Sequence, residues 1–173
     1  YFRHYQTGEP MPKALIDKIN NAATFNQGFQ TVEFLGSAIM DMRYHTVDPT
    51  NLDPRAFEKE ELAKLGMPKE IPMRHRSTQF GHIFSSEGYA AGYYGYLWAE
   101  VLTADAAEAF REAPGGLYDK ALATSMVSNL FTVRNAVDPG EAYRAFRGRD
   151  ATIDALLRDR GFPVPEKAAG GSQ

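Results

Sequence analysis

The side chains best suited to chemistry are concentrated in one stretch, Gly81-His82-Ile83-Phe84-Ser85-Ser86-Glu87-Gly88-Tyr89-Ala90-Ala91-Gly92-Tyr93-Tyr94-Gly95-Tyr96-Leu97-Trp98. Four of the nine tyrosines and the only tryptophan fall within its last ten residues. A phenol is a hydrogen-bond donor that stays neutral at ordinary pH. Aimed at a carbonyl oxygen that becomes an oxyanion, it stabilises the charge as it develops, and losing one such donor costs roughly 3 kcal/mol, about a hundredfold in rate. Tyr89, Tyr93 and Tyr96 stand at i, i+4 and i+7, the spacing that puts three rings on one face of a helix. His82, on the neighbouring loop, could reach the same oxygen or a substrate backbone. Gly88, Gly92 and Gly95 each weaken helix propensity by about 1 kcal/mol relative to alanine. They also leave room for another backbone or a peptide to approach. The same residues also suit packing: an aromatic stripe at helical spacing usually serves a core, with Tyr where one end is wet. His82 could likewise be a hydrogen-bonded structural histidine. His75, within Arg74-His75-Arg76, reads most simply as a solvated basic patch or a partner for carboxylates. Spacing alone leaves both readings open.

Metal chemistry is a different matter. A zincin places two histidines one helical turn apart with a glutamate beside the first, so that both imidazoles reach one ion. The four histidines are His4, His45, His75 and His82, and none is followed by Glu and then, four residues on, by His. With zero cysteines there is no thiolate site and no disulfide framework. The expectation is that no motif in this chain holds a metal by itself.

The elements that must position these residues read as helices. Pro12 suits a first turn, and Leu15, Ile19 and Ala22 follow at helical spacing until Asn26-Gln27-Gly28 interrupts. Val32, Leu35, Ile39 and Met42 trace an apolar stripe, which predicts a core helix over residues 29–44. Asp53-Pro54 is an N-cap followed by proline at the first helical position, and Gly66 with Pro68 closes that helix. Residues 67–87 have weak periodicity and two prolines and read as a long ordered loop, a feature more often functional than decorative. A long helix is predicted over residues 89–111, ended by Pro114-Gly115-Gly116, and another over 117–134. Asp138-Pro139-Gly140-Glu141 is a capping-box start. Asp150 is expected to cap a last helix with Ile153, Leu156 and Leu157 facing inward and Gly161 as its stop. No alternating strand and no internal repeat is evident. The predicted fold class is all-α.

Composition narrows the function classes. Hydrophobic residues make up 43% and charged residues 24%, ordinary for a globular chain large enough to bury a core. A net charge of −3 offers no basic footprint for nucleic acid or an anionic membrane surface. No apolar run approaches the roughly 20 residues that span a bilayer. The opening Tyr1-Phe2-Arg3-His4 has no initiator Met and no apolar signal core, as expected of a processed product or a piece of a longer protein. Absence of cysteine suits a cytoplasmic protein, with a periplasmic one also compatible.

Beyond composition, the segment from His82 to Trp98, with Gly88-Tyr89 and Tyr93-Tyr94-Gly95-Tyr96-Leu97-Trp98, resembles a hallmark of the M3 zinc metallopeptidases, the thimet oligopeptidase and peptidyl-dipeptidase family. His4-Tyr5-Gln6-Thr7-Gly8-Glu9, Phe25-Asn26-Gln27-Gly28-Phe29, Tyr143-Arg144-Ala145-Phe146-Arg147-Gly148-Arg149-Asp150 and Arg160-Gly161-Phe162 are similar to its peptidyl-dipeptidase branch. The resemblance covers residues 1–163, and implies the C-terminal helical portion of a larger, mostly helical, two-lobed peptidase with a deep substrate channel; residues 164–173 are expected to be a flexible tail. It implies zinc in the complete enzyme, bound upstream of the matched part, and short peptides as substrates. It implies that Tyr89 and Tyr96 stabilise the tetrahedral intermediate and that His82 belongs to the same catalytic group. Gly88 and Tyr93 are carried over as substrate-binding. Two positions depart from the family pattern: Arg134 stands where a glycine is expected and Ala151 where proline is common. The implied partner is the missing upstream zinc-binding half. The alternative reading is a stand-alone, non-catalytic helical module that binds peptides. Dipeptidyl-exopeptidase and oligopeptidase specificities are both compatible with these residues.

Overall fold

A computed structural model describes residues 2–164. Of the tail expected over 164–173, all but Val164 lies outside the described residues. In chain order the α-helices are α1 (Lys13–Ala22), α2 (Gln27–Tyr44), α3 (Pro54–Lys64), α4 (Gly81–Phe84), α5 (Gly95–Glu112), α6 (Lys120–Met126), α7 (Pro139–Arg147) and α8 (Asp154–Asp159). Short 3-10 turns cover Ser77–Gln79 and Gly116–Tyr118, and a π-helical turn covers Val127–Phe131. An isolated bridge pairs Arg3 with Pro10, and no strand occurs among the described residues. The fold is all-α.

Side-chain capping marks three of the helix starts, those of α3, α6 and α7. The Asp53 carboxylate accepts from the amides of Arg55 at 2.9 Å and Ala56 at 3.3 Å, ahead of Pro54. Asp138 accepts from Glu141 at 3.0 Å ahead of Pro139, and Asp119 from Leu122 at 2.9 Å ahead of α6. Each cap satisfies amides that a helix start leaves unpaired, a contribution of about 1 kcal/mol. α7 stops at Gly148, whose φ of 80° belongs to the left-handed region that glycine enters without strain. Asp150 does not cap the last helix: its carboxylate takes Arg144 Nη1 at 2.9 Å, and α8 starts at Asp154 behind an exposed Ile153.

The chain forms two compact units, Asn26–Trp98 and Tyr1–Phe25 with Ala99–Gln173. In the first, Met40, Leu62, Met73, Phe80 and Ile83 make the core, flanked by Tyr44, Phe57, Met67 and Tyr93. α2 therefore turns a different side inward from the one its apolar stripe predicted. Gly36, Ser37, Ala38, Met40 and Asp41 are buried, while Val32 and Met42 are exposed. Leu35, Ile39 and Met42 line an open groove beside Tyr94. The stretch after α3 is ordered, as expected, but not without helix, since it holds the 3-10 turn and α4 and sends Met73, Phe80 and Ile83 into the core.

In the second unit the small residues Ala106 and Ala109 of α5 let Phe146 of α7 pack closely, with Phe110, Leu122, Met126 and Leu130 around them. Asp105, fully buried on α5, accepts from Tyr143 Oη at 2.7 Å, Arg147 Nε at 3.3 Å and Arg149 Nη2 at 2.6 Å. Burial alone would raise its carboxyl, but the bonds from Tyr143 and Arg149 and the two guanidinium charges bring it below the ordinary carboxylate range. The Tyr143-to-Asp150 motif thus serves this anchor. The helix predicted over 117–134 breaks into the 3-10 turn, α6 and the π-helical turn. Arg134, the position where glycine was expected, has φ 49°. That left-handed conformation explains the preference for glycine.

Candidate active site

All the residues singled out for chemistry lie within the unit Asn26–Trp98. The segment carrying them is irregular where a continuous helix was predicted. Gly95 starts α5, and residues 89–94 run through successive tight turns, with the Gly92 amide donating to Tyr89 O and the Gly95 amide to Gly92 O, each at 3.0 Å. Ala91 has φ 54°. A β-carbon in that region costs roughly 1 kcal/mol or more, so something outside the segment must hold it there.

Asp41 does so. Its carboxylate is completely buried on α2; one oxygen accepts the Ala91 amide and the other the Tyr93 amide, each at 2.9 Å. His45 Nδ1 lies 2.9 Å from the first of these oxygens. A second buried acid secures the start of the loop: Glu58 of α3 accepts the Ser77 amide and hydroxyl, both at 2.6 Å, and pairs with Arg76 Nε at 2.7 Å. Sequence reading missed both acids. Their signal was a carboxylate on an otherwise inward-facing side of a helix, where burial demands donors from elsewhere.

Held this way, the rings gather although they do not share a helical face. His82 of α4 stacks on Tyr89 with centroids 4.1 Å apart and 23° between planes. Tyr89 and Tyr96 are near-parallel, 5.4 Å apart at 11°. His82 Nε2 lies 3.0 Å from Tyr96 Oη. Tyr93 meets Tyr96 edge-on at 5.3 Å and sits beneath the group, half-buried, stacked on Phe34 at 5.3 Å and edge-on to Phe80 at 5.1 Å. Tyr89 and Tyr96, 38% and 40% exposed, present their rings to solvent. Gly88 is exposed just before Tyr89, and a β-carbon there would meet nothing closer than Ser86 Oγ at 3.6 Å. Packing within the chain therefore does not require glycine at that position.

His75, read from sequence as part of a solvated basic patch, instead stacks on Phe80 at 4.9 Å and approaches Tyr93 edge-on at 6.2 Å. Burial, Arg74 and His82 all lower its pKa, so this imidazole is neutral at physiological pH. Hydrogen bonding with Tyr89 and then burial push the Tyr96 phenol up to about 12. Tyr96 accordingly keeps its proton throughout the physiological range and remains able to donate it in a hydrogen bond. Among the described residues no three His, Cys, Asp or Glu side chains come together in a way that could hold a metal ion. These residues do not by themselves fit zinc. Among the described residues no helix is long and apolar enough to cross a membrane.

Comparison with known proteins gives the arrangement its context. The family model described as Peptidase family M3 matches residues 1–162. The chain is 37% identical over 167 residues to a dipeptidyl carboxypeptidase of Escherichia coli (strain K12), which covers 95% of this chain and 24% of that relative. It is 38% identical over 164 residues to oligopeptidase A of Haemophilus influenzae, covering 92% and 23% respectively. Saccharolysin of Saccharomyces cerevisiae is 30% identical over 172 residues, covering 92% and 22%. The chain spans about a quarter of the length of the curated relatives it matches.

Proposed function

The chain belongs to peptidase family M3, and on that premise we propose that it is the part of a zinc-dependent peptidase that donates hydrogen bonds to the oxyanion formed from a peptide carbonyl. In this reading residues 1–163 are the C-terminal helical portion of the catalytic domain of a larger, two-lobed enzyme. Zinc and its ligands belong to sequence outside these 173 residues, and the complete enzyme is cytoplasmic. Short peptides are the substrates, a reading supported by the relatives' names, dipeptidyl carboxypeptidase and oligopeptidase.

The observation that carries the reading is the 3.0 Å contact between His82 Nε2 and Tyr96 Oη, with the Tyr89 ring parallel to Tyr96 and both phenols accessible. When a peptide carbonyl becomes tetrahedral, charge gathers on its oxygen, and fixed neutral donors stabilise that charge more than they stabilise the ground state. With His82 Nε2–H donating to the Tyr96 oxygen, the phenol proton can turn from Tyr89 toward the oxyanion. Tyr89 supplies a second phenol on the same side. Gly88 leaves backbone open to an extended peptide, and Tyr93 contributes ring surface from below.

The test uses the complete protein, loaded with zinc and given short peptides of defined sequence, with products identified by mass. Cleavage that a chelator abolishes and added zinc restores is the expected result. Peptide binding without any cleavage by the zinc-loaded protein would sink the proposal and favour a non-catalytic peptide-binding module.

A further inference from the structure

We propose that Asp41, steadied by His45, is a positioning residue for the tyrosine donors, an inference that rests on the peptidase reading above. Two acceptor oxygens on one buried carboxylate take the amides of Ala91 and Tyr93 at 2.9 Å each, while the intervening Gly92 amide turns back to Tyr89 O at 3.0 Å. This alternation fixes the chain direction midway between Tyr89 and Tyr96. It also holds Ala91 at φ 54°, a conformation that alanine does not favour by itself. Tyr93 has independent anchors in Phe34 and Phe80. The more exposed Tyr89 depends on the turn for its place beside Tyr96 and His82.

The carboxylate is in turn oriented from its own helix. His45 Nδ1 is 2.9 Å from one carboxylate oxygen and 2.8 Å from the Asp41 carbonyl oxygen, and its ring stacks on Phe84 at 5.8 Å. A chain of contacts thus runs from α2 to the end of α4 and to the turn before α5. Asparagine at 41 would keep one acceptor but set an NH2 group against the second backbone amide, turning an attraction into a repulsion. The turn then shifts, and a displacement of about 1 Å at a reacting group costs on the order of a hundredfold in rate.

The experiment compares Asp41→Asn, Tyr96→Phe and the double variant in the complete protein, using a short peptide substrate and thermal unfolding. Asp41→Asn is expected to lower kcat by about a hundredfold and to leave KM within about twofold. The double variant should be little worse than the worse single one, because both changes remove the same interaction with the transition state. A folded Asp41→Asn protein with near-wild-type kcat beside an impaired Tyr96→Phe would overturn this proposal alone, as would strictly multiplicative losses. A wild-type kcat in Tyr96→Phe would overturn it together with the tyrosine reading. If Asp41→Asn does not fold, His45→Ala, which keeps the carboxylate but frees its orientation, should lower kcat about tenfold at constant KM. An unchanged kcat in that variant refutes the positioning role.

Discussion

Replacing Tyr96 with phenylalanine is the most discriminating single change, because the structure separates what it removes from what it keeps. The ring stays, and with it the parallel contact to Tyr89 at 5.4 Å and the edge contact to Tyr93 at 5.3 Å. Only the hydroxyl 3.0 Å from His82 Nε2 is lost. At a residue 40% exposed, a neutral hydrogen bond of this kind contributes about 1 kcal/mol or less to folding. Loss of an oxyanion donor, by contrast, costs roughly 3 kcal/mol at the transition state, about a hundredfold to a thousandfold in kcat. Steady-state hydrolysis of a quenched fluorescent peptide by the zinc-loaded complete protein gives kcat and KM, and a thermal melt of the same sample gives stability. The expected pattern is kcat down by at least about a hundredfold, KM within about twofold and a nearly unchanged melting temperature. Wild-type kcat/KM refutes the reasoning. A rise in KM alone also refutes it, since the phenol would then bind substrate and transition state equally.

Two further predictions concern stability. Asp105→Asn removes the buried charge that Tyr143, Arg147 and Arg149 share and should cost about 3 kcal/mol in denaturant unfolding. In the wild type the folded carboxyl lies below its unfolded value, so its contribution is complete above the ordinary carboxylate range and is lost as pH falls through the folded pKa; unfolding monitored below about pH 4 should show this loss, and Asp105→Asn should flatten it. Arg134→Gly relieves an exposed residue at φ 49° and should raise stability by about 1 kcal/mol, whereas no gain, or a loss, would mean that the left-handed conformation carries little strain.

Much of this protein was legible without its structure, and the legible part is local chemistry. Asp53-Pro54 and Asp138-Pro139-Gly140-Glu141 announced their helix starts because a cap joins a side chain to amides only two or three residues away. The glycine that the family resemblance implied at position 134, where this chain has Arg134, likewise matched a local backbone angle, φ 49°. The stretch from His82 to Tyr96 was singled out from residue types, and its rings do converge.

The fold supplied what depends on distant partners. α2 is apolar around much of its circumference, so its period could not say which side would be covered; Met40 and Asp41 went inward and Val32 and Met42 outward because the core formed by Leu62, Met73, Phe80 and Ile83 lies on the former side. The predicted helix over 89–111 lost its first turns for a similar reason. Asp41, 50 and 52 residues away in sequence from the amides it binds, offers Ala91 and Tyr93 a charged acceptor, and the backbone turns to meet it. Residue spacing describes a helix as though it were alone, whereas a buried carboxylate must find donors wherever the fold brings them. That need, which is invisible in the local sequence, placed the tyrosines where they stand.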